Sequence, residues 1–137
     1  MAPIVGGGAG NPAGGTAGIG TSLNYIGNHC YAYSGNVTDA TSSAPATTLL
    51  DFTTASGTYI KGKFQWEANN ESSLVVDIVV EFNGQRIYDS EFDASPSRGM
   101  WNTPLRVIIP PETRVVMKFG ASGNMESAAQ FTGRVYG

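Results

Sequence analysis

Cysteine and histidine are nearly missing: Cys30 and His29 are the sole examples of each in 137 residues. One thiol cannot build a disulfide framework, and one Cys with one His cannot complete a structural zinc site. Any Ser-His-Asp or Cys-His arrangement would have to run through His29. Charge is scarce too. Asp, Glu, Lys and Arg make up 14% of the chain, against roughly 25% in an average soluble domain. With a formal net charge of −3, composition offers no basic field for a phosphate backbone, and nucleic acid is not expected as a partner. No apolar run approaches the roughly 18 residues of a membrane-spanning helix, so no membrane partner is expected. The opening MAPIVGGGAGNPAGG has neither a basic n-region nor an apolar h-region and does not read as a secretory signal. On that reading, Asn36-Val37-Thr38 and Asn70-Glu71-Ser72 are chance matches to the glycosylation pattern.

Glycine, by contrast, is abundant and concentrated. Eight of 18 fall within residues 1–20, where Ile4, Val5 and Ile19 are the main apolar side chains. Such a segment buries too little surface to offset its ordering entropy, so residues 1–20 are expected to form a flexible arm. Gly6-Gly7-Gly8 and Gly14-Gly15 do not make a phosphate loop, since no strand precedes them and no Lys-Ser/Thr follows. Residues 21–137 are expected to form a single domain.

In that domain the apolar residues alternate. Ile60, Gly62, Phe64 and Trp66 share one face of a strand whose other face carries Lys61, Lys63 and Gln65. Leu74, Val76, Ile78, Val80 and Phe82 form a second set, followed by Asn83-Gly84. That dipeptide suits the positive φ angles of a type I′ hairpin, with a return strand from Gln85 to Phe92. Further strands are expected at Thr47–Thr54 (Leu50 and Phe52 inward), Leu105–Ile109, Glu112–Gly120 and Ala129–Tyr136, with one or two more between Asn24 and Thr38. Pro110-Pro111 should break the ladder, because neither can donate a backbone hydrogen bond. No stretch carries a helical apolar stripe. About eight one-faced strands require two packed sheets, which predicts an all-β, antiparallel β-sandwich of the jelly-roll type.

Few residues invite chemistry. His29 and Cys30 are neighbours on a strand and point to opposite faces, so they cannot act as a pair. Asp89, Glu91 and Asp93 alternate and project to one side, where their oxygens could hold Ca²⁺ or serve glycoside hydrolysis. Acidic residues on an edge strand also deter edge-to-edge pairing, with Lys61 and Lys63 as candidate cross-strand partners. Trp66, in phase with Phe64, is read as core. Met100-Trp101 lies in a Ser-, Pro- and Gly-rich loop, where the indole can stack on a sugar, anchor a protein contact or plug one end of the sandwich. A carbohydrate-binding module would combine Trp101 with an exposed Tyr88 and the Asp89 and Glu91 carboxylates. No catalytic residue, metal or cofactor is assigned.

Thr47-Thr48-Leu49-Leu50-Asp51-Phe52-Thr53-Thr54, the Phe82-Asn83-Gly84-Gln85 hairpin and the run from Leu105 to Arg114, joined to a Gly-rich arm, give a chain that resembles the capsid cement or decoration proteins of tailed bacteriophages. The resemblance implies a non-enzymatic virion protein, made in the host cytoplasm and seated on the outer capsid surface as a homodimer or homotrimer. Its partner would be the major capsid protein, whose neighbouring subunits the arm would tie together. Ile4, Val5, Ile19, Tyr25 and Trp101 are the residues such contacts would use.

Overall fold

The computed structural model describes residues 23–35, 37–39, 47–69, 74–94, 104–121 and 125–137. They form ten strands, and no helix occurs among the described residues. In chain order these are β1 (Asn24–Ile26), β2 (His29–Tyr33), β3 (Val37–Asp39), β4 (Thr47–Thr53), β5 (Tyr59–Asn69), β6 (Leu74–Phe82), β7 (Gln85–Ala94), β8 (Leu105–Ile109), β9 (Arg114–Ala121) and β10 (Met125–Tyr136).

The larger sheet has the order β1-β2-β10-β5-β8, with β3 also beside β10, and the smaller has the order β4-β9-β6-β7. The pairs nest. The β6–β7 hairpin is innermost, followed by β5 with β8, β4 with β9, and β2 with β10, all antiparallel. Successive pairs alternate between the sheets, so the chain is one long hairpin wound into a sandwich. This is the expected jelly roll, with β1 and β3 added to its eight principal strands.

Local chemistry fixes the turns. Asn83 and Gly84 both have positive φ (51° and 82°), as the type I′ hairpin requires. The β5–β8 ladder ends at the Ile60–Ile109 pair, directly before Pro110-Pro111. Between β2 and β3, Ser34 replaces regular pairing. Its N–H donates to the Ala129 carbonyl at 3.0 Å, and its Oγ accepts from the Ala129 N–H at 2.8 Å.

The core follows the alternation. Ile60, Phe64 and Trp66 of β5 and Val76, Ile78 and Val80 of β6 are buried, as are Leu50 and Phe52 of β4. Leu49 is buried as well, because a register shift between Thr48 and Leu50 interrupts the two-residue period there. Phe131 joins the sheets, its ring centroid 4.8 Å from Phe64 on the same sheet and 5.3 Å from Phe52 on the other. Each such side chain contributes about 1.5–3 kcal/mol by leaving water.

Candidate interaction surfaces

Among the described residues the sandwich offers two outward sheet faces, the sheet edges (β1 and β8 on the larger sheet, β4 and β7 on the smaller) and its ends. Strand parity decides which side chains reach each. On β2, His29 is exposed and Cys30 buried, in keeping with their opposite faces. Burial pushes the Cys30 thiol up to about 12, which keeps it protonated and a poor nucleophile. Trp66 is core, packed with its ring centroid 5.6 Å from that of Tyr88.

Tyr88 departs from expectation. It is partly buried against the core, and Asp89 beside it points to the outside of the smaller sheet, where it pairs with Arg86 at 3.0 Å. The tyrosine therefore cannot join the carboxylates in a shared sugar site. The side chains of Glu91 and Asp93 lie outside the described ones, although their backbones pair with Asp77 and Val75. Lys61 and Lys63 are not the partners of these acids. Their strand, β5, lies in the larger sheet between β10 and β8, while β7 borders β6 in the smaller one. Among the described residues no group of three His, Cys, Asp or Glu side chains is placed to hold a metal.

Of the expected contact residues, Tyr25 is in view. It sits on β1, at the edge of the larger sheet, opposite Cys30 in register and partly packed on the core. Burial, and secondarily the proximity of Cys30, raise its phenol above the ordinary value. Beside it Ile26 is 66% exposed, an apolar side chain at an open edge. Ile4, Val5, Ile19 and Trp101 lie outside the described residues, as does the arm of residues 1–20.

The sheet faces differ in how their charges are matched. On the smaller sheet, Arg86 pairs with Asp89, Arg114 with Asp51 (2.8 Å) and Lys118 with Glu81 (3.4 Å). Arg114 grips Asp51 with two hydrogen bonds, from Nε and from a terminal nitrogen, which raises its own pKa. On the larger sheet, Lys61, Lys63, Arg106 and Arg134 border a shallow trough of about 580 Å³ with His29 at its rim. A chain-wide net charge averages the two faces and conceals this segregation.

No protein-family model matches the chain, and no curated protein matches it. Solved structures do. A chain in the structure of the Gx strain of infectious bursal disease virus shares 10% identity with this one, at a TM-score of 0.51 over 84% of the present chain. A chain in T=1 particles derived from infectious bursal virus gives 10% identity, a TM-score of 0.52 and the same 84% coverage. The Gt strain likewise gives 0.51. The chain spans about one third of the length of these viral chains (34%, 33% and 34%). At such identity the likeness is one of fold: this β-sandwich has the architecture of a segment of those viral particle proteins.

Proposed function

We propose that this protein is a non-enzymatic structural component of a virion, a cement or decoration protein that reinforces contacts between major capsid subunits. The observation that carries the reading is the jelly roll shared, across 84% of the chain, with chains of infectious bursal disease virus particles. The chemistry of the body agrees with it. The lone thiol is buried and protonated, and the carboxylates Asp51, Glu81 and Asp89 are engaged in ion pairs.

The arm supplies the inter-subunit contacts in this reading. In sequence it precedes β1, which lies at an edge of the larger sheet. Gly and Ala allow a backbone to lie close against another protein, and strand addition at an open edge gives main-chain hydrogen bonds. Ile4, Val5 and Ile19 would seat on the neighbouring subunit, and Tyr25 and Trp101 would contribute further contacts, in a homodimer or homotrimer on the capsid surface. Repetition over many equivalent sites lets weak contacts add up.

Deleting residues 2–20 tests the assignment. Occupancy on purified particles should fall sharply while the circular dichroism and melting of the body stay unchanged. Full occupancy by the truncated chain would overturn the arm's role.

A further inference from the structure

The larger sheet's outer face carries a pattern that a structural role in a shell leaves unused. Register aligns its outward side chains into rows. Arg106, Lys63 and Thr132 lie side by side, and Ile108, Lys61 and Arg134 form the next row. Neighbours in a row are roughly 5 Å apart and successive rows roughly 6.5–7 Å apart, from the spacing of a pleated sheet. Half of the chain's eight Lys and Arg residues are thereby collected on one trough. None of these four takes part in an ion pair among the described residues, whereas Arg86, Arg114 and Lys118 of the smaller sheet each do. Two carboxylates share the face at a distance: Glu67 lies two rows beyond Lys63, roughly 13 Å along β5, and the exposed Glu126 of β10 lies three rows beyond it, roughly 20 Å away.

Tyrosines flank the cations in two places. At one end Tyr59 and Tyr136 are stacked, with ring centroids 5.4 Å apart and planes 17° from parallel. Lys61 and Arg134 lie 5.5 Å and 6.0 Å from the centre of the Tyr136 ring, which ties that pair to the basic rows. To the side, on β2, Tyr31 stands in the Lys63–Arg106 row, in register with Thr132, and its ring lies 5.0 Å from that of Tyr33, one row further along. Tyr33 and Tyr59 are each 38% exposed, so both pairs present aromatic surface to solvent.

We propose that the outer face of the larger sheet binds single-stranded nucleic acid, its two cationic rows holding two successive phosphates and its tyrosine pairs stacking unpaired bases. This goes beyond the structural role above and does not depend on it. A row spacing of roughly 6.5–7 Å is commensurate with phosphates along an extended single strand. Every base offers a flat face to an aromatic ring, so such a surface is tolerant of sequence. Paired bases in a duplex interior have no free face to offer, which favours the single strand. Charge complementarity alone would also admit a sulfated glycan, but the tyrosine pairs give a base something further to contact.

The test is fluorescence anisotropy of the full chain with a labelled thymidine dodecamer, set beside an abasic dodecamer with the same number of phosphates. Two phosphate contacts, one for each cationic row, predict a slope of about −1.4 in log affinity against log salt, or about sevenfold weaker binding between 50 and 200 mM salt. Lys63→Gln with Arg106→Gln should roughly halve that slope, and Lys61→Gln with Arg134→Gln should do the same. Arg86→Gln, on the other sheet, should leave binding unchanged. The abasic strand should bind about tenfold more weakly or worse, because stacking is lost. Absence of binding at 50 mM salt would overturn the proposal, as would loss of binding in the Arg86→Gln variant alone. Equal affinity for the abasic strand, or equally effective competition by dextran sulfate, would reassign the trough to polyanions in general. A melting curve for each variant separates lost contacts from lost fold.

Discussion

Gly62 of β5 lies beneath the ring of Phe131 on β10, and a Cβ at Gly62 would stand 2.7 Å from Phe131 Cε1 and 2.7 Å from the Thr132 carbonyl oxygen. Its register partner Gly133 is as confined, with Ile60 Cγ2 at 2.8 Å and the Lys61 carbonyl oxygen at 2.9 Å from the position of a Cβ. The two glycines make a notch in the inner face of the larger sheet. Phe131 uses it to reach both Phe64 and Phe52.

Gly62→Ala should therefore destabilise the domain by overpacking, by about 1–3 kcal/mol. Chemical denaturation reads this directly. Trimming the obstructing ring in the double variant Gly62→Ala with Phe131→Leu should cost less than the two single changes added together. Additive losses would mean that the ring and the notch are not coupled.

Thr54 closes the sandwich at one end. Its Oγ1 accepts from the Thr113 N–H at 2.9 Å and donates to the Pro110 carbonyl at 2.8 Å, binding the end of β4 to the Pro110-Pro111 turn. Thr54→Val keeps the shape and leaves that buried N–H without its acceptor, a loss of about 1–3 kcal/mol. Faster amide exchange at Thr113 should accompany the lower stability. An unchanged exchange rate would count against this role.

Cys30 gives the fold a defined alkaline limit. The unfolded chain ionises this thiol near its ordinary value of 9.0, whereas burial holds the proton up to about 12 in the folded chain. The stability gained by keeping it protonated is complete below about pH 9 and is lost as pH rises towards about 12. Across that window the native chain should lose up to about 1.4 kcal/mol per pH unit more than Cys30→Ala does. Parallel curves for the two proteins would contradict it. At pH 8 the native thiol should resist a disulfide reagent that modifies it at once in denaturant.

Much of this architecture is written in residue order. Period-two alternation locates β5 and β6 and their inward faces, and Asn83-Gly84 locates the hairpin by the one backbone shape that suits it. Alternation also determines that Tyr88 opposes Asp89, so its inward position follows from the outward acids. The second buried leucine of β4 does not follow, since a register shift suspends the rule there. Which strands are neighbours is a property of winding and not of any one strand. Lys61 and Lys63 read as outward from β5 alone, but their company with Arg106 and Arg134 depends on β8 and β10 flanking that strand. Two of the four cations come from strands more than forty residues further along the chain. Composition therefore reports an acidic protein, where the fold separates a cationic face from a charge-matched one.

Cryo-electron microscopy of the particle that carries this protein, with copies counted and residues 1–20 traced, decides whether the jelly roll is a structural part of a virion as proposed. Copies should stand at regular icosahedral positions on the outer shell, with the arm lying ordered against neighbouring capsid subunits. A handful of copies at a vertex or tail tip, or a particle without the protein while it persists free in solution, would contradict that role.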